Sequence, residues 1–115
     1  MRLKRPFRNV CEKFHLTYEL EGAQRAVDFL TRYYGVRRLE LIVDGRKVVT
    51  TRTHKKYAAH YYKNKAYFVR RFLTKPTVLH ETFHHLISAK IIDLPLGKEE
   101  RMAEEFAKFV MKRKL

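Results

Sequence analysis

The sequence predicts a single α+β domain: an N-terminal helix, a small mixed or antiparallel sheet of about four strands built from two hairpins, and two closing helices. Three observations carry this reading. Apolar residues in 20–34 and in 98–114 recur at three- and four-residue spacing, the mark of a helix with one buried face. Between them, β-rich runs are separated by turn pairs, Asp44-Gly45 and Asn64-Lys65. A chain of 115 residues with 45% hydrophobic content can bury one core and has little room for a second.

Each element has its own local signal. Residues 1–15 form a basic arm that could be flexible, since Arg2, Lys4, Arg5 and Arg8 have no acidic residue among the first ten. In 20–34, Leu20, Ala23, Ala26, Val27 and Leu30 share a face, and Gly35 follows as the stop. Arg38–Val43 and Arg46–Arg52 are β-rich runs flanking Asp44-Gly45, a strong hairpin signal. A second hairpin spans Tyr57–Phe72, with arms Ala58–Tyr62 and Ala66–Arg70 turning at Asn64-Lys65. Pro76 suits a first helical turn, so Thr77–Ile92 is expected to be helical. The stretch from Asp93 to Gly97 breaks that helix. Lys98–Lys114 then places Met102, Ala103, Phe106, Ala107 and Val110 on one face.

Charge narrows the classes of partner. The formal net charge is +14, and by segment residues 1–10 carry +4, 11–35 carry −1, 36–72 carry +9 and 73–115 carry +2. A field of that sign favours encounter with anionic partners. In the middle third, Tyr57, Tyr61, Tyr62, Tyr67 and Phe68 interleave with Lys55, Lys56, Lys63, Lys65, Arg70 and Arg71. That mix suits a platform for single-stranded nucleic acid. It equally suits a strand with aromatics inward and cations outward, the commoner arrangement. No apolar run reaches the length of a membrane span. The basic start has no apolar stretch behind it, and Cys11 is the sole cysteine, so an intracellular, cytoplasmic setting is expected. Cys11 is expected to pack, and His54 and His60 to lie at the surface or stack on strand neighbours.

His80-Glu81-Thr82-Phe83-His84 is an HExxH motif inside the expected helix. Residues four apart on a helix project side by side, so two imidazoles at that spacing can each give a nitrogen to one Zn²⁺ at about 2.0–2.1 Å. Glu81 falls beside them, where it could hold and deprotonate a metal-bound water. Chance would place such a motif in about one such sequence in fifty, but the flanking Thr77, Val78, Leu79, Phe83 and Leu86 are uncharged and mostly apolar, as a buried metal-bearing helix requires. His85 points about 100° away and is expected to pack. A catalytic zinc usually takes three protein ligands. No histidine follows His85, which leaves Glu99, Glu100, Glu104 and Glu105 of the last helix. Glu105 points away from the core face, Glu99 lies nearest its centre, and Glu100 sits on its edge.

Thr77 to Leu86 resembles the active-site helix of zincin metallopeptidases, and Glu100 to Ala107 resembles the glutamate helix of the gluzincin clan. In that clan the ligand glutamate is followed at four residues by an acid, at six by an aromatic and at seven by a small residue. Glu104, Phe106 and Ala107 match this register when Glu100 is the ligand. The short chain and the HExxHH run look most like the minigluzincins, very short archaeal zincins. The resemblance implies a zincin-like fold and a metallopeptidase with one Zn²⁺ per chain held by His80, His84 and Glu100. Glu81 would activate the zinc-bound water for attack on a peptide or protein substrate, and Glu104 would orient a ligand from behind. It also implies a mixed sheet whose edge strand aligns an extended peptide, for which Ala66–Phe72 is the candidate. The chain departs from the clan in having neither His nor Tyr downstream of the glutamate helix to steady the oxyanion. The alternative is a basic nucleic-acid-binding module, or a peptidase recruited to nucleic acid, with a structural or vestigial zinc site.

Overall fold

A computed structural model describes residues 3–43, 49–50, 56–57 and 59–114. The expected basic arm is mostly helix: α1 runs Arg8–Glu21 and buries Val10, Cys11, Phe14 and His15, so its inward face outweighs its charge. Even the segment before it is tied down. The Tyr34 hydroxyl donates to the Lys4 carbonyl at 2.7 Å, and the Arg5 guanidinium lies 5.0 Å over the Phe109 ring.

Gly22 separates α1 from α2 (Ala23–Tyr33), and its φ of +96° is one that side chains resist. This break corrects the helix expected from residue 20: Leu20 belongs to the last turn of α1 and is 74% exposed. At the other end the expected stop holds. Gly35, at φ +68°, lets its own N–H reach the Arg32 carbonyl and the Val36 N–H reach Thr31, which satisfies the last carbonyls of α2.

The strands are β1 (Glu40–Val43), β2 (Val49–Thr50), β3 (Lys56–Tyr57), β4 (Ala59–Tyr62) and β5 (Lys65–Phe68). They form a three-stranded mixed sheet in the order β1-β5-β4 and a separate β2-β3 pair. The second hairpin is present, but its turn is Lys63-Asn64, both at positive φ, one residue earlier than expected. The first expected hairpin falls partly outside the described residues, 46–48 and 51–52 of its second arm among them. Its turn, Asp44-Gly45, lies outside the described residues, and β1 pairs in parallel with β5, Leu41 opposite Ala66. An Asp-Gly pair is a local signal, whereas the partner of β1 is set by where its apolar face finds cover. Leu39 and Leu41 pack with Ala66 and Phe68 over Val27 and Val78. For the same reason Ala66–Phe72 is no edge strand: β5 is central, and β4 forms the edge nearest the next helix.

After a single 3-10 turn at Arg70–Phe72, helix α3 spans Lys75–Ala89 and α4 spans Leu96–Met111. Both begin and end two or three residues before their expected limits. α3 closes on Ile91, a β-branched residue at φ +53°, with the Ile92 N–H bonded back to Ile87. The main core lies where α1, α2, α3 and α4 meet, centred on Phe14, Leu30, Leu79, Phe83, Leu86 and Val110. Among the described residues no helix is long and apolar enough to cross a membrane.

Candidate metal centre

Helix α3 is buried almost all round, and four of its buried residues are polar: Glu81, Thr82, His84 and His85. Buried polar groups need partners, and two of these four, Thr82 and His85, find them away from α4. The Thr82 hydroxyl donates to the Val78 carbonyl at 2.7 Å. His85 Nε2 lies 2.7 Å from the Arg37 carbonyl, which can only accept, so that nitrogen carries the proton. Its Nδ1 therefore accepts from the Tyr61 hydroxyl at 3.0 Å, and Tyr61 in turn accepts the Asn64 N–H at 3.2 Å. Burial holds the His85 pKa below the ordinary histidine value, and the nearby Arg37 charge adds to the effect. His85 thus packs, as its helical angle suggested, and ties α3 to the β4–β5 hairpin.

His80 and His84 look the other way, toward α4. Their rings lie side by side with centroids 5.0 Å apart. His80 Nε2 is 3.0 Å from Glu100 Oε2, and His84 Nε2 is 2.9 Å from Glu100 Oε1. One carboxylate therefore spans both Nε2 atoms. Behind the rings, His80 Nδ1 is 2.8 Å from Glu104 Oε1, and His84 Nδ1 meets the Glu99 carboxylate. Glu99 is the more sheltered of the two neighbouring acids, its side chain 21% exposed against 51% for Glu100. The helical periodicity that put Glu99 near the centre of the face and Glu100 at its edge describes both positions.

This arrangement has an electrostatic consequence. A neutral imidazole holds one N–H, which at each ring can satisfy the acid on the Nδ1 side. The Nε2 lone pairs of His80 and His84 then both face the Glu100 carboxylate. A cation among the three groups would engage both lone pairs and the carboxylate together. The donor atoms of His80, His84 and Glu100 lie within 4.8 Å of one another. Tetrahedral donors about 2.0–2.2 Å from one Zn²⁺ sit about 3.4 Å apart, so the group fits such an ion after a small opening. The Nδ1–carboxylate contacts are those that fix the tautomer and orientation of ligating histidines.

Glu81 is buried beside this cluster, and its Oε2 has no hydrogen-bond partner. Burial raises its pKa, and the charge of Glu100 adds to that, while His84 and His80 oppose it. His60, half-buried on β4, also feels the cluster: burial first, then the charge of His84, lowers its pKa. His60 stacks on Tyr62 as the sequence suggests, while its nearness to the cluster and the Tyr61–His85 bond depend on where β4 docks and were not legible there. Glu105 lies on the exposed side of α4. Of the basic candidates, Lys63, Lys65, Arg70 and Arg71 are exposed. Lys55 and His54 lie outside the described residues, as does the side chain of Lys56. Cys11 is fully buried, its thiol pKa raised by that burial.

Fold and site together describe an α+β domain with a two-histidine, one-glutamate centre between its last two helices. Comparison with protein-family models, with curated proteins and with solved structures gives no match.

Proposed function

We propose that the chain is a zinc-dependent metallopeptidase with a gluzincin-like site. The observation that carries this reading is the convergence of His80 Nε2 and His84 Nε2 on the Glu100 carboxylate, next to the buried Glu81, whose Oε2 has no partner. His80, His84 and Glu100 would hold the ion, and Glu99 and Glu104 would lock the two rings from their Nδ1 sides. When bound, Zn²⁺ supplies a Lewis acid at the substrate carbonyl and at water. Glu81 is the general base. Its free oxygen takes a proton from the attacking water and delivers it to the leaving amine. A carboxyl whose pKa is raised by burial is suited to both halves of that transfer.

An extended peptide substrate would lie along β4, the sheet edge packed on α3, and gain main-chain hydrogen bonds there. The mixed sheet, with its edge strand on the motif-bearing helix, supports the zincin resemblance.

Elemental analysis of protein purified without added metal or an affinity tag tests the ligand set. About one zinc per chain is expected, with sharp loss in both His84→Ala and Glu100→Ala. Zinc retained in Glu100→Ala would remove Glu100 from the ligand set, and no zinc even after reconstitution would overturn the metal site. The Glu81→Gln protein is expected to keep its zinc while peptide cleavage falls by about 10²–10⁴-fold. Cleavage at the wild-type rate would sink the base assignment.

A further inference from the structure

The helices cover one face of the three-stranded sheet. Leu41, Ala59, Tyr61, Ala66 and Phe68 turn inward to the core beneath it. Side chains alternate along a strand, so the residues between them present the opposite face. The register puts His60 directly across from Tyr67 and Tyr62 across from Lys65. His60 and Tyr62 stack with their rings 6.4 Å apart and 14° from parallel. Tyr62 is 56% exposed, and the Lys63 ammonium lies 5.2 Å over its ring.

Three aromatic rings thus share one sheet face. Cations stand at both ends of β5: Lys63 and Lys65 at the hairpin turn, Arg70 and Arg71 in the 3-10 turn beyond it. All four are exposed, in the segment that carries +9 of the chain's +14. Aromatic faces accept unpaired bases regardless of sequence, and cations along the same track neutralise phosphates. A duplex keeps its bases stacked on one another and offers nothing to such rings.

We propose that this face, with His60, Tyr62 and Tyr67 between Lys63 and Lys65 at one end and Arg70 and Arg71 at the other, binds single-stranded nucleic acid through base stacking. The site uses none of the groups on α3 and α4, although it shares strand β4 with the substrate track of the proposed peptidase.

Fluorescence anisotropy of the full chain with labelled oligo(dT) and oligo(U), against a duplex of equal length and heparin, tests it. Binding to one or both single strands, tighter than to the duplex, is expected. Tyr62→Ala changes an exposed side chain and is expected to weaken single-strand binding by about 5- to 150-fold while leaving heparin binding unchanged. The double variant Lys63→Gln, Lys65→Gln is expected to lower the slope of log affinity against log salt by about 1.4. No binding at low salt overturns the proposal. So does equal affinity for strand, duplex and heparin with Tyr62→Ala unchanged, which would leave a patch for polyanions in general.

Discussion

At the scale of single residues, buried polar groups divide according to whether the fold satisfies them. Thr82 and His85 are satisfied internally, and Glu81 is not. A buried carboxylate oxygen without a partner costs stability, and Glu81 Oε2 is one, beside two converging imidazoles. The opposite case is Tyr61, whose hydroxyl serves His85 as donor and Asn64 as acceptor. Tyr61→Phe keeps the ring and strands both partners. Urea unfolding is expected to show a loss of about 1–3 kcal/mol, with any bound zinc unchanged because the Tyr61 hydroxyl bonds His85 and Asn64 rather than His80 or His84.

At the scale of elements, the stops are as informative as the runs. Gly22 and Gly35 take up left-handed conformations at no steric cost, but the same position after α3 is filled by Ile91, 91% exposed and at φ +53°. A β-branched residue there is strained. Ile91→Gly is expected to raise stability by about 1 kcal/mol, read as a higher urea midpoint at unchanged slope. Much of this level was legible in the sequence. Apolar spacing placed α2, α3 and α4, turn residues placed the β4–β5 hairpin to within one residue, and helical geometry put His80 beside His84. What escaped was decided at a distance. The charges of α1 hid its inward face of Val10, Cys11 and Phe14, and a local Asp-Gly pair gave no hint that β1 lies parallel to β5. Of the site, the histidines and Glu81 were plain from a five-residue motif. Which ring nitrogens Glu99 and Glu100 meet needed the docking of α4 on α3.

For the whole molecule, burial of histidines sets the response to acid. His15 sits between α1 and α4 with Nε2 2.8 Å from the Val110 carbonyl and Nδ1 without a partner. Burial lowers its pKa, with the charges of Lys75 and Lys114 adding to this and the Val110 bond and Glu19 opposing it. The unfolded chain therefore takes up a proton near the ordinary histidine value of 6.5, while the folded chain does not. Stability rises with pH wherever the unfolded state binds more protons, so His15 costs nothing above that value and an increasing amount below it. His85 acts in the same direction. Urea midpoints of the chelator-treated protein are expected to fall between pH 7 and pH 5, less steeply in His15→Gln. A midpoint flat across that range in the wild type would contradict this.

The two histidines of the centre belong to one helix, and the three carboxylates that meet them belong to the next. No fragment short of the docked pair presents a complete set of donors. If the cluster holds an ion as proposed, its exchange is expected to be gated by how often α4 lifts away from α3, a local opening with its own free energy. As chelator is raised, the rate of metal loss should level off at that opening rate, and amide hydrogens along α4 should exchange with the same ceiling.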